Sequence, residues 1–92
     1  MNVIVVGGGI TGLTAAYELS KRGVSVAVLE AAAGGGGLIR TEHVDGFTIE
    51  AGPDSVLTSQ PAALELVREL GLDGEVQYVR TPGAFVLRGR RL

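Results

Sequence analysis

The sequence predicts an α/β fold organised around a βαβ unit with a parallel sheet, and three features of its N-terminal third carry that prediction. An apolar, β-branched run, Val3 to Val6, begins almost at the N-terminus; a helical pattern follows from Ile10 to Arg22; a second apolar run, Val24 to Leu29, closes the unit. Continuously apolar runs of this length suit strands covered on both faces, as parallel strands are. Two parallel strands need a long crossover, ordinarily a helix, and the connection is right-handed by a strong rule.

In order along the chain, the first strand runs straight into a glycine cluster, Gly7 to Gly12. The helix after it has Ile10, Leu13, Ala16, Tyr17 and Ser20 on one stripe, with Glu18, Lys21 and Arg22 away from it. Lys21 and Arg22 suit the negative end of the helix dipole, and Gly23 supplies the stop. Beyond Glu30 come three alanines and Gly34 to Gly37, a run no packed helix would choose. Ile39 to Thr41 and Phe47 to Glu50 are expected as short strands around an Asp45–Gly46 turn, and Gly52–Pro53–Asp54 as a second turn. Ser59 caps a helix that has Pro61 in its first turn, runs to Leu70 and stops at Gly71. Its apolar stripe is Ala63, Leu66, Val67 and Leu70. Glu75 to Arg80 and Ala84 to Arg88 read as strands, with a turn at Gly89.

Composition narrows the function. The 92 residues carry a formal charge of −2 and are 46% apolar, enough for one small core and too balanced for nucleic acid or an anionic membrane as main partner. Without cysteine there is no disulfide framework, thiolate metal site or thiol chemistry, and no metal site is expected. No apolar run approaches the roughly 20 residues of a membrane span, and no signal peptide is recognisable, so a cytoplasmic protein is the default. Glycine stands out at 15 residues, about twice the usual share of roughly 7%, and eight of them sit in the two clusters. Glycine concentrated in this way marks backbone that turns sharply or approaches something closely.

Gly7-Gly8-Gly9-Ile10-Thr11-Gly12 fits the G-x-G-x-x-G dinucleotide fingerprint, here in its required context of strand, turn and helix. Gly7 permits the tight turn, Gly9 lets backbone approach a pyrophosphate, and Gly12 lets helix and strand pack closely, while Gly8 takes a variable position. The amides of Ile10, Thr11 and Gly12 would meet phosphate at the positive end of the helix dipole. Glu30, 18 residues after Gly12 at the end of the second strand, is placed to grip the ribose hydroxyls of an adenosine. Its charge repels a 2′-phosphate, and no Lys or Arg lies between Val24 and Ile39 to accept one, which disfavours NADP. The unit is thus Rossmann-like. Because NAD and FAD both present adenosine diphosphate, the fingerprint leaves the two open.

Gly36-Gly37-Leu38-Ile39-Arg40-Thr41 resembles the second glycine motif of the amine-oxidase-like flavoproteins, a doublet followed by Ser or Thr. Ile49-Glu50-Ala51-Gly52-Pro53-Asp54-Ser55 is similar to the Glu-x-Gly-Pro-Asp-Ser segment of the protoporphyrinogen and coproporphyrinogen III oxidase family within that superfamily. Pro61 to Leu66, Glu69 to Leu72 and Phe85 to Arg88 extend the likeness essentially to Leu92. The resemblance implies FAD as cofactor, with Gly7, Gly8, Gly9, Ile10, Thr11, Gly12, Glu30, Gly36, Gly37, Leu38, Gly52, Pro53, Asp54 and Ser55 as its contacts. It implies oxidation of a porphyrinogen with oxygen as acceptor, in haem biosynthesis. One position departs from the family: Gly34 stands where an Arg usually helps neutralise the pyrophosphate.

The family's enzymes are several-fold longer, so residues 1–92 resemble the N-terminal part of an FAD-binding domain, without the substrate domain. No catalytic residue is assigned. His43, in the expected hairpin, and Arg88, Arg90 and Arg91, around Gly89, read as solvated side chains. An uncovered sheet edge suggests self-association of the chain. Two alternatives stay open: a related amine oxidase or carotenoid desaturase, and a nucleotide-binding module without catalysis.

Overall fold

A computed structural model describes residues 1–81 and 83–90. The chain divides into two compact units, Met1–Ser55 and Val56–Leu92.

The first unit opens with the expected βαβ arrangement. Strand β1 (Asn2–Val6) and strand β2 (Ser25–Leu29) pair in parallel, with Asn2 opposite Ser25 and Val6 opposite Leu29. Helix α1 (Ile10–Lys21) crosses between them and packs on one face of the pair. The helix ends as its sequence dictates: Gly23 takes φ 76°, its N–H reaches the Ser20 carbonyl at 3.0 Å, and the Val24 N–H reaches Leu19 at 3.1 Å. Near that end Lys21 pairs with Glu18 at 2.7 Å and lies over the Tyr17 ring.

The stripe expected on α1 is corrected. Ala16 and Tyr17 are half-buried as expected, but Ile10, Leu13 and Ser20 are exposed, and Gly12, Thr14, Glu18 and Leu19 are half-buried instead. The reason is close approach. Gly12 has only hydrogen where a side chain would stand, and an added Cβ there would sit 3.3 Å from Val5 Cγ1. At its start the helix therefore meets the strand through a residue with no side chain. On the sheet, Val3, Val5, Val26 and Val28 are half-buried, whereas Ile4, Val6 and Leu29, on the opposite face, are exposed, Val6 to 82%.

Strands β3 (Thr41–Val44) and β4 (Phe47–Glu50) form an antiparallel hairpin across Asp45 (φ 49°) and Gly46 (φ 79°). Two successive positive φ values make the turn of the type that Asp-Gly favours. The first strand was expected at Ile39 to Thr41, two residues too early. A two-residue turn pairs Val44 with Phe47 and works outward, so the four residues of β4 select 41–44 as their partners. Thr41, His43, Thr48 and Glu50 share one face, where the Thr41 hydroxyl donates to the Glu50 carboxylate at 2.8 Å. Glu42, Val44, Phe47 and Ile49 occupy the other.

The second unit holds helix α2 (Pro61–Glu69) and a short 3-10 turn, Asp73–Glu75. Pro61 starts the helix, but its cap is Gln60 rather than Ser59, with no side-chain cap bond. Ala63, Leu64, Leu66 and Val67 are half-buried, while Leu70 is exposed. Gly71, at φ 73°, ends the helix as expected. The strands expected at Glu75–Arg80 and Ala84–Arg88 do not form among the described residues. Strand backbone needs a neighbouring ladder; instead the Glu75 and Val76 N–H groups donate back to the Leu72 and Asp73 carbonyls at 3.0 and 3.3 Å. Val76 is half-buried, and Tyr78, Val79, Phe85, Val86 and Leu87 stand in solvent, Phe85 to 90%. Arg91 lies outside the described residues.

Candidate functional site

The site is built where β1 ends. Gly7 takes φ 104°, a conformation L side chains rarely adopt, and its N–H donates to the Leu29 carbonyl at 2.7 Å, so the chain turns while still tied to β2. Gly9 caps α1 with extended backbone, and its carbonyl accepts the Leu13 N–H at 2.9 Å, the first bond of the helix. No side chain caps this end and no acidic residue stands in the first turn. The amides of Ile10, Thr11 and Gly12 therefore present unneutralised positive dipole.

The glycines divide the work by geometry. At Gly12 an added Cβ would lie 2.0 Å from the Gly7 carbonyl oxygen, so only glycine lets the helix start this close to the strand. At Gly9 it would meet nothing nearer than Gly37 Cα at 3.9 Å, so the space before this backbone is free for another molecule. Gly8, read from sequence as the variable position, is held from both sides. It is buried, its N–H donates to Glu30 Oε2 at 2.6 Å, and its carbonyl accepts the Gly36 N–H at 2.8 Å. A Cβ there would come within 2.9 Å of Glu30 Oε2.

Glu30 lies just beyond β2, as expected, with an exposed side chain. Its Oε1 accepts the Ala32 N–H at 2.8 Å while Oε2 takes Gly8. Chiefly the Ala32 amide, then that of Gly8, hold the carboxyl below its ordinary value of 4.5, against a smaller opposing effect of desolvation. A carboxylate fixed in this way keeps further lone pairs for ribose hydroxyls. Ala32 was not singled out in the sequence, because a backbone donor leaves no trace in residue type.

The second glycine cluster folds against the first. Gly9 and Gly36 form an isolated parallel bridge, and Gly36 (φ 115°) and Gly37 (φ 61°) both lie in the left-handed region. A cavity of about 770 Å³ opens beside them, lined by Gly7, Gly9, Thr11, Gly36, Leu38 and Pro53 among others, with no charged side chain among the described residues of its wall. Val5, Val6, Ala15 and Ile39 also line it; in the sequence they carry only the marks of strand, helix and hairpin.

The Gly52–Ser55 segment separates into distinct roles. A Cβ on Gly52 would stand 1.8 Å from the Leu38 carbonyl oxygen, so this glycine serves packing of backbone on backbone. Pro53 reaches the cavity wall, and Asp54 and Ser55 do not. Gly34 has open space around it and brings no cation.

These features fit a dinucleotide. The uncapped helix start suits a pyrophosphate, Glu30 suits a ribose, and the uncharged cavity suits an aromatic or aliphatic extension. Comparison with known proteins agrees. The sequence matches the family described as flavin containing amine oxidoreductase over residues 10–91. It is 49% identical over 75 residues to a coproporphyrinogen III oxidase of Propionibacterium freudenreichii, covering 82% of this chain and 14% of that protein. To a coproporphyrinogen III oxidase of Bacillus subtilis it is 38% identical over 97 residues, covering 99% of this chain and 21% of that protein. Among solved structures, wild-type putrescine oxidase bound to putrescine superposes with a TM-score of 0.72 at 42% identity, covering 77% of this chain and 16% of that one. The chain thus spans about a fifth or less of the curated relatives it matches. With the family match running over most of its length and the glycine geometry in accord, the chain belongs to the flavin-containing amine oxidoreductase family.

Proposed function

We propose that this chain is the FAD-binding portion of an oxidase that converts a porphyrinogen to a porphyrin, with oxygen as the final acceptor. The observation that supports this most is the pairing of the uncapped, glycine-lined start of α1 with relatives named coproporphyrinogen III oxidase. In this reading the Ile10, Thr11 and Gly12 amides bind the pyrophosphate and Glu30 orients the adenosine ribose. Gly9 leaves the room in which the diphosphate sits. Gly36, Gly37, Leu38 and Pro53 exclude water along the side leading toward the flavin, and Gly52 holds Leu38 in place; Asp54 and Ser55 remain assigned to the cofactor on resemblance. A bound flavin supplies the hydride-accepting chemistry. Chain segments with the length missing relative to the relatives would seat the substrate, a small molecule. Self-association of the isolated chain through the exposed Ile4, Val6 and Leu29 face belongs to the same reading.

The test is a chimera in which residues 1–92 replace the matching segment of the Bacillus subtilis relative. The expected result is a yellow protein that forms porphyrin fluorescence from coproporphyrinogen III. A folded, FAD-loaded chimera without porphyrinogen turnover would refute the assignment. The likeness to putrescine oxidase favours amine oxidation as the second reading, distinguished by a parallel chimera in which residues 1–92 replace the matching segment of putrescine oxidase: peroxide release with putrescine there, with no turnover in the porphyrinogen oxidase chimera, would favour it.

A further inference from the structure

The two glycine loops meet backbone to backbone, and the contact falls on the residues that begin α1. The Gly36 N–H donates to the Gly8 carbonyl at 2.8 Å, Gly9 and Gly36 form a parallel bridge, and Gly37 crosses directly against Gly9. A Cβ on Gly37 would stand 3.1 Å from Gly9 Cα and 3.8 Å from Gly9 N, tighter than a backbone neighbour accepts without giving way. Gly9 is the helix cap whose carbonyl receives the first helical hydrogen bond, so displacing it moves the Ile10, Thr11 and Gly12 amides. Gly8, beside it, is already tied through its N–H to Glu30.

We propose that Gly36 and Gly37 are positioning residues for the first glycine loop: they hold the Gly8–Gly9 backbone in the geometry that presents the α1 amides to a diphosphate, whether or not they touch the ligand themselves. The proposal rests on the reading of that loop as the nucleotide site. It gives the second cluster a function on the adenosine side, and it explains why an alanine-and-glycine loop without charge lies against the phosphate loop. The first loop is then pre-organised before ligand arrives, which lowers the cost of binding.

The test compares Gly37→Asn with Gly23→Asn. Asn tolerates the left-handed region, so backbone strain is small in both. Gly23 is at φ 76° with nothing within 4 Å of an added Cβ, whereas Gly37 faces Gly9. Thermal melting, ADP affinity by calorimetry and amide exchange by NMR are measured on the full chain. Both variants should melt within a few degrees of each other. Gly37→Asn should bind ADP about tenfold more weakly, the worth of one lost amide–phosphate bond, and Gly23→Asn less than about twofold. In ligand-free protein the Gly36 amide should be protected in the wild type and in Gly23→Asn, and exchange faster in Gly37→Asn. Unchanged ADP affinity with weakened FAD binding in Gly37→Asn would mean that the second loop acts only by touching the flavin half, and would overturn the proposal. A Gly36 amide that is unprotected in the wild type until ADP binds would overturn it without need of any variant. Failure of the wild type to bind either ADP or FAD would overturn the nucleotide reading itself, with the Gly36 protection showing whether the loop pairing survives.

Discussion

Substituting Gly12 by alanine isolates the contact on which the whole site is built. The new Cβ would lie 2.0 Å from the Gly7 carbonyl oxygen, 3.1 Å from its carbon and 3.3 Å from Val5 Cγ1. Ordinary contact begins at 3.4 Å, so the helix start and the turn must separate by about 1.4 Å. Neither partner is a flexible side chain end. The Gly7 carbonyl belongs to a residue whose N–H is bonded to Leu29, and Gly12 lies in the first turn of α1. Relief therefore comes from lifting the helix off β1, which loosens the half-buried Ala16 and Leu19 contacts as well. Overpacking costs typically about 1–3 kcal/mol, occasionally more, and a clash with backbone on both sides belongs at the upper end. For a domain of this size each 1 kcal/mol lowers the melting temperature by roughly 4–8 °C, so a loss of about 12 °C or more is expected. Far-UV circular dichroism melts give the answer, with Gly34→Ala as the control. Gly34 has open space and no left-handed φ, so that variant should melt at or slightly above the wild-type temperature. A Gly12→Ala protein melting within about 2 °C of wild type would show that α1 does not rest on β1 through this residue.

Gly9→Ala is expected to melt like the wild type, since its Cβ meets only Gly37 Cα at 3.9 Å, yet to bind ADP more than about tenfold more weakly in calorimetry because the methyl group occupies the diphosphate's space. Stability should depend on the Glu30 charge in acid: the folded-state pKa is depressed below 4.5, so its contribution is fully present above that value and is lost as pH falls through the lower folded value. Melting curves of wild type and Glu30→Gln should accordingly differ at pH 6 and converge toward pH 3; a constant gap would show that the carboxylate bonds to Gly8 and Ala32 are not linked to folding. The chain should bind ADP more tightly than 2′-phospho-ADP, with Glu30→Ala narrowing the difference, because residues 24–39 hold no cation to receive the extra phosphate. Equal titration curves for the two nucleotides would contradict that.

The sequence by itself determined the βαβ unit, both glycine clusters, the acid after β2 and the stops at Gly23 and Gly71. Each depends on local chemistry: β-branched runs, a glycine turn leading into a helix, and left-handed residues at helix ends. Only tertiary structure decided which face of α1 meets the sheet. Hydrophobic spacing put Ile10, Leu13, Ala16, Tyr17 and Ser20 on one stripe; Ala16 and Tyr17 are half-buried, but Ile10 and Leu13 yield to Gly12, which has no side chain to hold the helix off Val5. The hairpin register likewise depended on pairing, since Ile39 looks as strand-like as Val44 until the turn at Asp45–Gly46 sets its partners. The segments 75–80 and 84–88 carry strand composition yet form no strand among the described residues, because propensity becomes a strand only where a ladder partner is in place. Gly8 and Gly52 changed meaning for the same reason. One is clamped between Glu30 and Gly36, the other lies against the Leu38 carbonyl, and both contacts join residues distant in sequence through backbone atoms that every residue shares.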